Sequence, residues 1–106
     1  HLDTVLQTGG VCKDGRLVVY IGEKDFAEIG ENTVFSVNGS EYALSNLDDT
    51  PVQLDENFDS YLIHLIGLSE GDWVYALETD ASGVKDGTYT VSVITERVKP
   101  INFVLN

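Results

Sequence analysis

The residues of this chain that could do chemistry are few, apart from its carboxylates. There are two histidines, His1 and His64, and one cysteine, Cys12. Nucleophilic catalysis needs a nucleophile beside a base that a third group orients. Gly67-Leu68-Ser69-Glu70-Gly71 has the letters of a Gly-x-Ser-x-Gly elbow, but the expected strand Asp72–Glu78 follows it where an elbow needs a helix, and no His-Glu-x-x-His helix is present. Gly83-Val84-Lys85-Asp86-Gly87 reads as a turn and not as a phosphate-cradling loop. His64 alternates with Leu62 and Ile66 in an apparent strand and reads as a structural or surface histidine, and Cys12 as a small buried hydrophobe. One cysteine excludes an intrachain disulfide, and two histidines with it are too few for a closed zinc site. Carboxylate pairs of the glycosidase kind exist only in the sense that acids are abundant. No catalytic residue is assigned, and the expectation is a protein that is not an enzyme.

The acids themselves are the strongest feature. Eighteen Asp and Glu against six Lys and Arg give a formal charge of −12. Residues 25–84 hold thirteen of the acids and no Lys or Arg, while the remainder is close to neutral. Such a chain repels nucleic-acid phosphate, which excludes direct DNA or RNA binding. Solubility alone accounts for a charge run of this kind. The sharper readings are a docking face for a protein partner, formed by Asp48, Asp49, Asp55, Glu56 and Asp59, or mimicry of nucleic acid toward a basic protein. Calcium takes six to eight oxygens, and Asp55, Glu56 and Asp59 offer several, although no EF-hand spacing is present. Calcium is thus a conditional cofactor, and no other is implied.

The aromatic side chains offer a third possibility. Trp73 and Tyr75 alternate on one strand face. A lone tryptophan in a sandwich reads first as core. Exposed, with Tyr20 or Tyr61 as further candidates, it would form a platform for a surface glycan.

The elements that must position these residues have a period of two. Tyr89, Val91 and Val93 face one way and Thr90 and Ser92 the other. Leu17, Val19 and Ile21 define an early strand, Asp72–Glu78 another, and Ile101, Phe103 and Leu105 a closing one. Tyr61–Ile66, the longest apolar run, suits one strand and is far short of the roughly 20 residues of a membrane-spanning helix, so no membrane insertion is expected. Asn38-Gly39 accepts the positive φ angles of a type I′ turn. It sets Val37 opposite Ser40 and Phe35 opposite Tyr42, with Phe35, Val37, Tyr42 and Leu44 on one face. Short turns are expected at Glu23–Ile29 and Asp55–Phe58, and an edge strand where Pro51 or Pro100 opens a run.

With 106 residues, 42% hydrophobic and 23% charged, this is one globular domain, 1–106, able to bury roughly two thirds of its unfolded surface. Seven to eight short strands with little helix predict an all-β antiparallel sandwich, with a small barrel as the alternative. The residues Asp86-Gly87-Thr88-Tyr89-Thr90-Val91, the ending through Ile101–Leu105 and the corner Gly67-Leu68-Ser69-Glu70-Gly71-Asp72-Trp73 resemble immunoglobulin-like modules of bacterial surface and phage structural proteins. Ala76-Leu77-Glu78-Thr79-Asp80-Ala81 is similar to a strand of Cna-B-type adhesin repeats. The chain departs from Cna-B in having no Pro after Ala81 and no lysine in the strand before Asn38, so an isopeptide crosslink is not expected. The resemblance covers about the last 40 residues. It implies an immunoglobulin-like fold and a structural or adhesive, non-enzymatic role in an extracellular, cell-surface or virion protein. The lack of methionine agrees with a module excised from a larger chain with neighbouring domains. A carbohydrate-binding module and an acidic decoy or inhibitor of a basic protein are the alternative functions.

Overall fold

The computed structural model describes residues 3–97. The expected closing strand Ile101–Leu105 and the Pro100 edge lie outside that range, as does His1. Seven strands run through the described residues: β1 (Asp3–Lys13), β2 (Arg16–Gly22), β3 (Val34–Val37), β4 (Ser40–Ala43), β5 (Pro51–Gln53), β6 (Trp73–Asp80) and β7 (Gly87–Arg97). A 3-10 segment, Glu23–Glu28, follows β2, and one α-helix, α1 (Ser60–Ile66), precedes β6. All pairings are antiparallel, and the strands form one sheet in the order β4-β3-β7-β1-β2-β6-β5.

The expected all-β antiparallel class and the strand count both hold. The strands share a single curled sheet, so the two layers of the core are its opposing halves. The chain leaving β4 crosses to β6. There Ser45 N–H donates to Glu78 O at 3.1 Å, Asp80 N–H donates to Ser45 Oγ at 3.2 Å, and the Thr79 hydroxyl donates to Ala43 O. An isolated bridge, Asn46 to Glu78, completes this seam. Among the described residues no continuous ladder closes the sheet, which leaves a barrel-like roll with β4 and β5 as its edges.

Alternation decides what fills the roll. Leu17, Val19 and Ile21 from β2, Phe35 and Val37 from β3, Leu77 from β6 and Val91 and Val93 from β7 are all buried in one inner cluster. The Asn38-Gly39 hairpin has the expected register, with Phe35 opposite Tyr42 and Val37 opposite Ser40. Its φ angles of 52° and 84° are those a type I′ turn demands. Asp14 and Gly15, at 52° and 78°, make the same kind of turn between β1 and β2. Pro51 opens β5, which is an edge strand as expected, because proline has no N–H for a second neighbour. Short turns form where expected, at Glu23–Glu28 and at Asp55–Phe58, where Phe58 N–H donates to Asp55 O at 3.1 Å.

Two elements differ from the sequence reading. The run Tyr61–Ile66 is helical, not extended, and belongs to α1. Leu62 and Ile66 are four apart, a spacing that shares a face in a strand and in a helix alike, so the pattern is ambiguous. The ends decide it. Asp59 accepts a hydrogen bond from Tyr61 N–H at 3.2 Å as the N-cap, and Gly67, at φ 81°, ends the helix in the left-handed region. Removing the cap, Asp59→Ala, should cost about 1 kcal/mol. Urea unfolding would show it, with Glu56→Ala on the same loop near zero.

The second difference is β1, which no alternation foreshadows. Its inward positions are Leu6, Thr8, Gly10 and Cys12, of which only Leu6 is large and apolar. Facing outward, Gly9 lies so close to α1 that an added Cβ would stand 2.8 Å from Leu65 Cβ. The helix therefore rests on a glycine. A second buried cluster, Leu54, Leu62, Ile66 and Val74, fills the space beneath it, with Val11 and Tyr20 from the outer sheet face.

Cys12 is buried as expected, its thiol directed at Val84 O at 3.5 Å. Burial raises its pKa above the ordinary 9.0, the Asp86 and Asp14 carboxylates add to this, and a Gly15 backbone hydrogen bond opposes it. Burial likewise raises Tyr20 above its ordinary 10.0. Both groups hold their protons more tightly folded than unfolded. Their contribution is complete below the ordinary values and is lost as pH rises through the raised ones. Urea midpoints followed upward from pH 9.0 should fall, with the onset moved up in a Cys12→Ala variant. In the native state the thiol should resist alkylation at neutral pH and react once unfolded.

Candidate recognition face

Between β5 and β6 the backbone is tied by Leu54 N–H donating to Asp72 O and by Gly71 N–H donating to Leu54 O, each at 2.8 Å. Gln53 Nε2 adds a bond to Gly71 O at 3.0 Å. These bonds lock the segment carrying Asp55 and Glu56 against the turn carrying Glu70 and Asp72. Leu54, 1% exposed, is the apolar anchor between them. Asp48, Asp49, Asp55, Glu56, Asp59, Glu70 and Asp72, on the segments that flank β5, are all exposed.

Several of these carboxylates also order their own loops. Asp48 accepts from Thr50 N–H and Asp55 from Asn57 N–H, both at 2.9 Å, and Asp72 accepts from Ser69 N–H at 2.9 Å. Such side-chain turns fix loop shape without secondary structure. Asp55, Glu56 and Asp59 thus lie close in the chain with two of the three engaged as local caps. Among the described residues no group of three or more His, Cys, Asp or Glu side chains gathers as a cation would require.

Apolar side chains are interleaved with the charge. Leu47 and Val52 are exposed, and so is Trp73, at 43%. The lone tryptophan is therefore not core, against the first expectation. It opens β6 opposite Gln53 of the three-residue edge strand β5, where no further strand covers it. Tyr75 shares its strand face but not its exposure. It is half-buried and stacks on Phe26 with centroids 3.7 Å apart and planes 15° from parallel, pinning the 3-10 segment to the sheet. The two rings do not form one platform. Tyr20 is also partly buried, edge-on to Phe58 at 5.7 Å. Tyr61 is exposed on α1.

Beside Trp73 a cleft of about 240 Å³ opens at the end of the roll. Leu6, Ile21, Ile66 and Leu68 form its apolar wall. Glu23, Lys24, Asp25 and Asp72 bring charge to it. Segments 6–8, 21–25, 66–68 and 72–73 meet there, so no local motif announces it. The one signal available in the sequence is Trp73 between Asp72 and a strand.

His64 is exposed on α1, outside the sheet, whereas Cys12 lies in the inner cluster. The sheet therefore separates His64 from Cys12. Arg16 and Glu78 pair at 2.5 Å across β2 and β6, with both side chains about half exposed. An exposed pair of this kind adds only about 0–1 kcal/mol. No family model, no curated protein and no solved structure matches this chain.

Proposed function

We propose that this chain is a non-enzymatic recognition module, structural or adhesive, of an extracellular, cell-surface or virion protein, presenting its acidic end to a basic protein partner. The observation that carries this reading is that seven exposed carboxylates and the exposed Leu47, Val52 and Trp73 all lie on the segments 47–59 and 70–73 that flank the edge strand β5. Charge on the rim speeds encounter and selects partners of opposite sign, while exposed apolar and aromatic side chains supply the affinity. Solubility alone would not call for large apolar side chains among the charges. The sequence resemblance to immunoglobulin-like surface and phage structural modules supports the placement outside the cell or on a virion.

A random peptide display selected on the immobilised chain at physiological salt tests this. Peptides combining Lys or Arg with apolar residues should be enriched. Their binding should weaken about tenfold or more in the triple variant Asp49→Asn, Glu56→Gln, Glu70→Gln, which leaves the loop-capping carboxylates in place. Failure to enrich basic sequences, or equal binding by the variant, would remove the reading. Retention of neutral glycans in place of peptides would favour the carbohydrate-binding alternative.

A further inference from the structure

We propose that the cleft beside Trp73 seats an organic cation, a guanidinium or alkylammonium group of side-chain size, on the indole face. This names the group by which a basic partner engages the acidic end, and so it rests on the recognition reading above. Three independent features of the cleft agree on that ligand.

The first is size. The cleft's volume of about 240 Å³ falls below the roughly 300–1,000 Å³ of drug-sized or cofactor sites. That is the size of one long side chain. The second is the wall. Leu6, Ile21, Ile66 and Leu68 offer an apolar surface for the methylene stem of an Arg or Lys, and Trp73, 43% exposed at the mouth, offers the aromatic ring that binds cations best. The third is charge. Glu23, Asp25 and Asp72 against Lys24 leave the lining at −2. Lys24 is exposed, so its ammonium can swing to solvent, whereas Asp72 is held by Ser69 N–H at 2.9 Å and Asp25 is half-buried on the lining. A neutral sugar would use the ring but gain nothing from this charge. An anion would be repelled.

Trp73 is the only tryptophan, so its fluorescence reports the site directly. The intact chain is titrated with N-acetyl-arginine methylamide and with tetramethylammonium, and in parallel with the neutral N-acetyl-norleucine methylamide and with glucose. Both cations should give saturable changes with a dissociation constant on the order of a millimolar, and the neutral compounds none. Glu23→Gln with Asp25→Asn, neither of which caps a loop, should weaken cation binding roughly fivefold. Trp73→Ala should abolish it, as read from the amide NMR shifts of Gly22 and Lys24, and circular dichroism checks that the sheet is kept. Equal response to norleucine and arginine, saturation by glucose alone, or no response to either cation overturns the proposal. The two readings fail separately. Peptides selected on the chain that still bind Trp73→Ala would retain the acidic face and remove the cleft. Cations that bind while no basic peptide is selected would remove the protein partner and retain the cleft chemistry.

Discussion

Truncating Phe35 to alanine should lower the unfolding free energy by about 3–5 kcal/mol. Among the described residues Phe35 is the largest fully buried side chain, at 0% exposure in the inner cluster. It lies on β3, which pairs with β7 on one side and β4 on the other, so its ring occupies the inside of the curve. The buried members of its cluster on β2, β6 and β7 come from strands held by ladders on both sides, and they cannot collapse into the space without bending the sheet. The transfer of the ring and the residual cavity therefore both count against the variant. Against a total stability of about 5–15 kcal/mol for a domain of this size, that loss is enough to leave a measurable unfolded fraction. Trp73→Ala removes more atoms but from an exposed site, and should change stability by only about 0.5 kcal/mol. Urea unfolding of the two variants under one set of conditions gives the comparison. Equal losses would mean that the inner cluster is not where the structure places it.

Gly10→Ala should cost about 1–3 kcal/mol. An added Cβ at Gly10 would stand 2.8 Å from Val18 O, a backbone atom in the neighbouring strand, and 3.1 Å from Val91 Cγ2. The first of these cannot rotate away, since Val18 is held in the β1–β2 ladder opposite Val11. The usual gain on replacing glycine, about 0.4–1 kcal/mol from a less flexible unfolded chain, is too small to offset the clash. Gly30→Ala is the control, because nothing lies within 4 Å of a Cβ there. It should be neutral or gain about that amount. Thermal midpoints that drop equally in both variants would show that the packing around Gly10 plays no part.

These two sites mark the boundary of what the sequence makes legible. Phe35 can be read in advance, because Asn38-Gly39 fixes a turn and the turn fixes a register, and register assigns each side chain to a face. The same holds for Leu17, Val19 and Ile21 and for Val91 and Val93, where alternation is strict. Gly10 cannot be read that way. A glycine in a strand interior adds nothing to the apolar pattern, and its reason for being there is an atom of another strand. Leu62 and Ile66 show a different limit, since their spacing suits two structures and only the caps at Asp59 and Gly67 choose between them.

Of the recognition face, the charge imbalance over residues 25–84 is visible by counting. Which acids meet is not. Asp55 and Glu56 join Glu70 and Asp72 through backbone hydrogen bonds at Leu54 and Gly71, and the seam from Ser45 to Glu78 depends on how far the sheet curls. Trp73 is exposed because β5 is only three residues long and ends the sheet, which is a property of its neighbours and not of its own strand.

Asp3 of β1 stands opposite Arg97 of β7, and the pairing continues inward to Cys12 opposite Gly87. Tension applied at residues 3 and 97 therefore acts on the same end of two adjacent antiparallel strands. The rungs between them, which lie across the strands, would break one after another as in a zipper, where opposed pulling would shear them together. Stretched between those two points in a single-molecule instrument, the domain should yield at low force, beginning with the two central strands of its sheet.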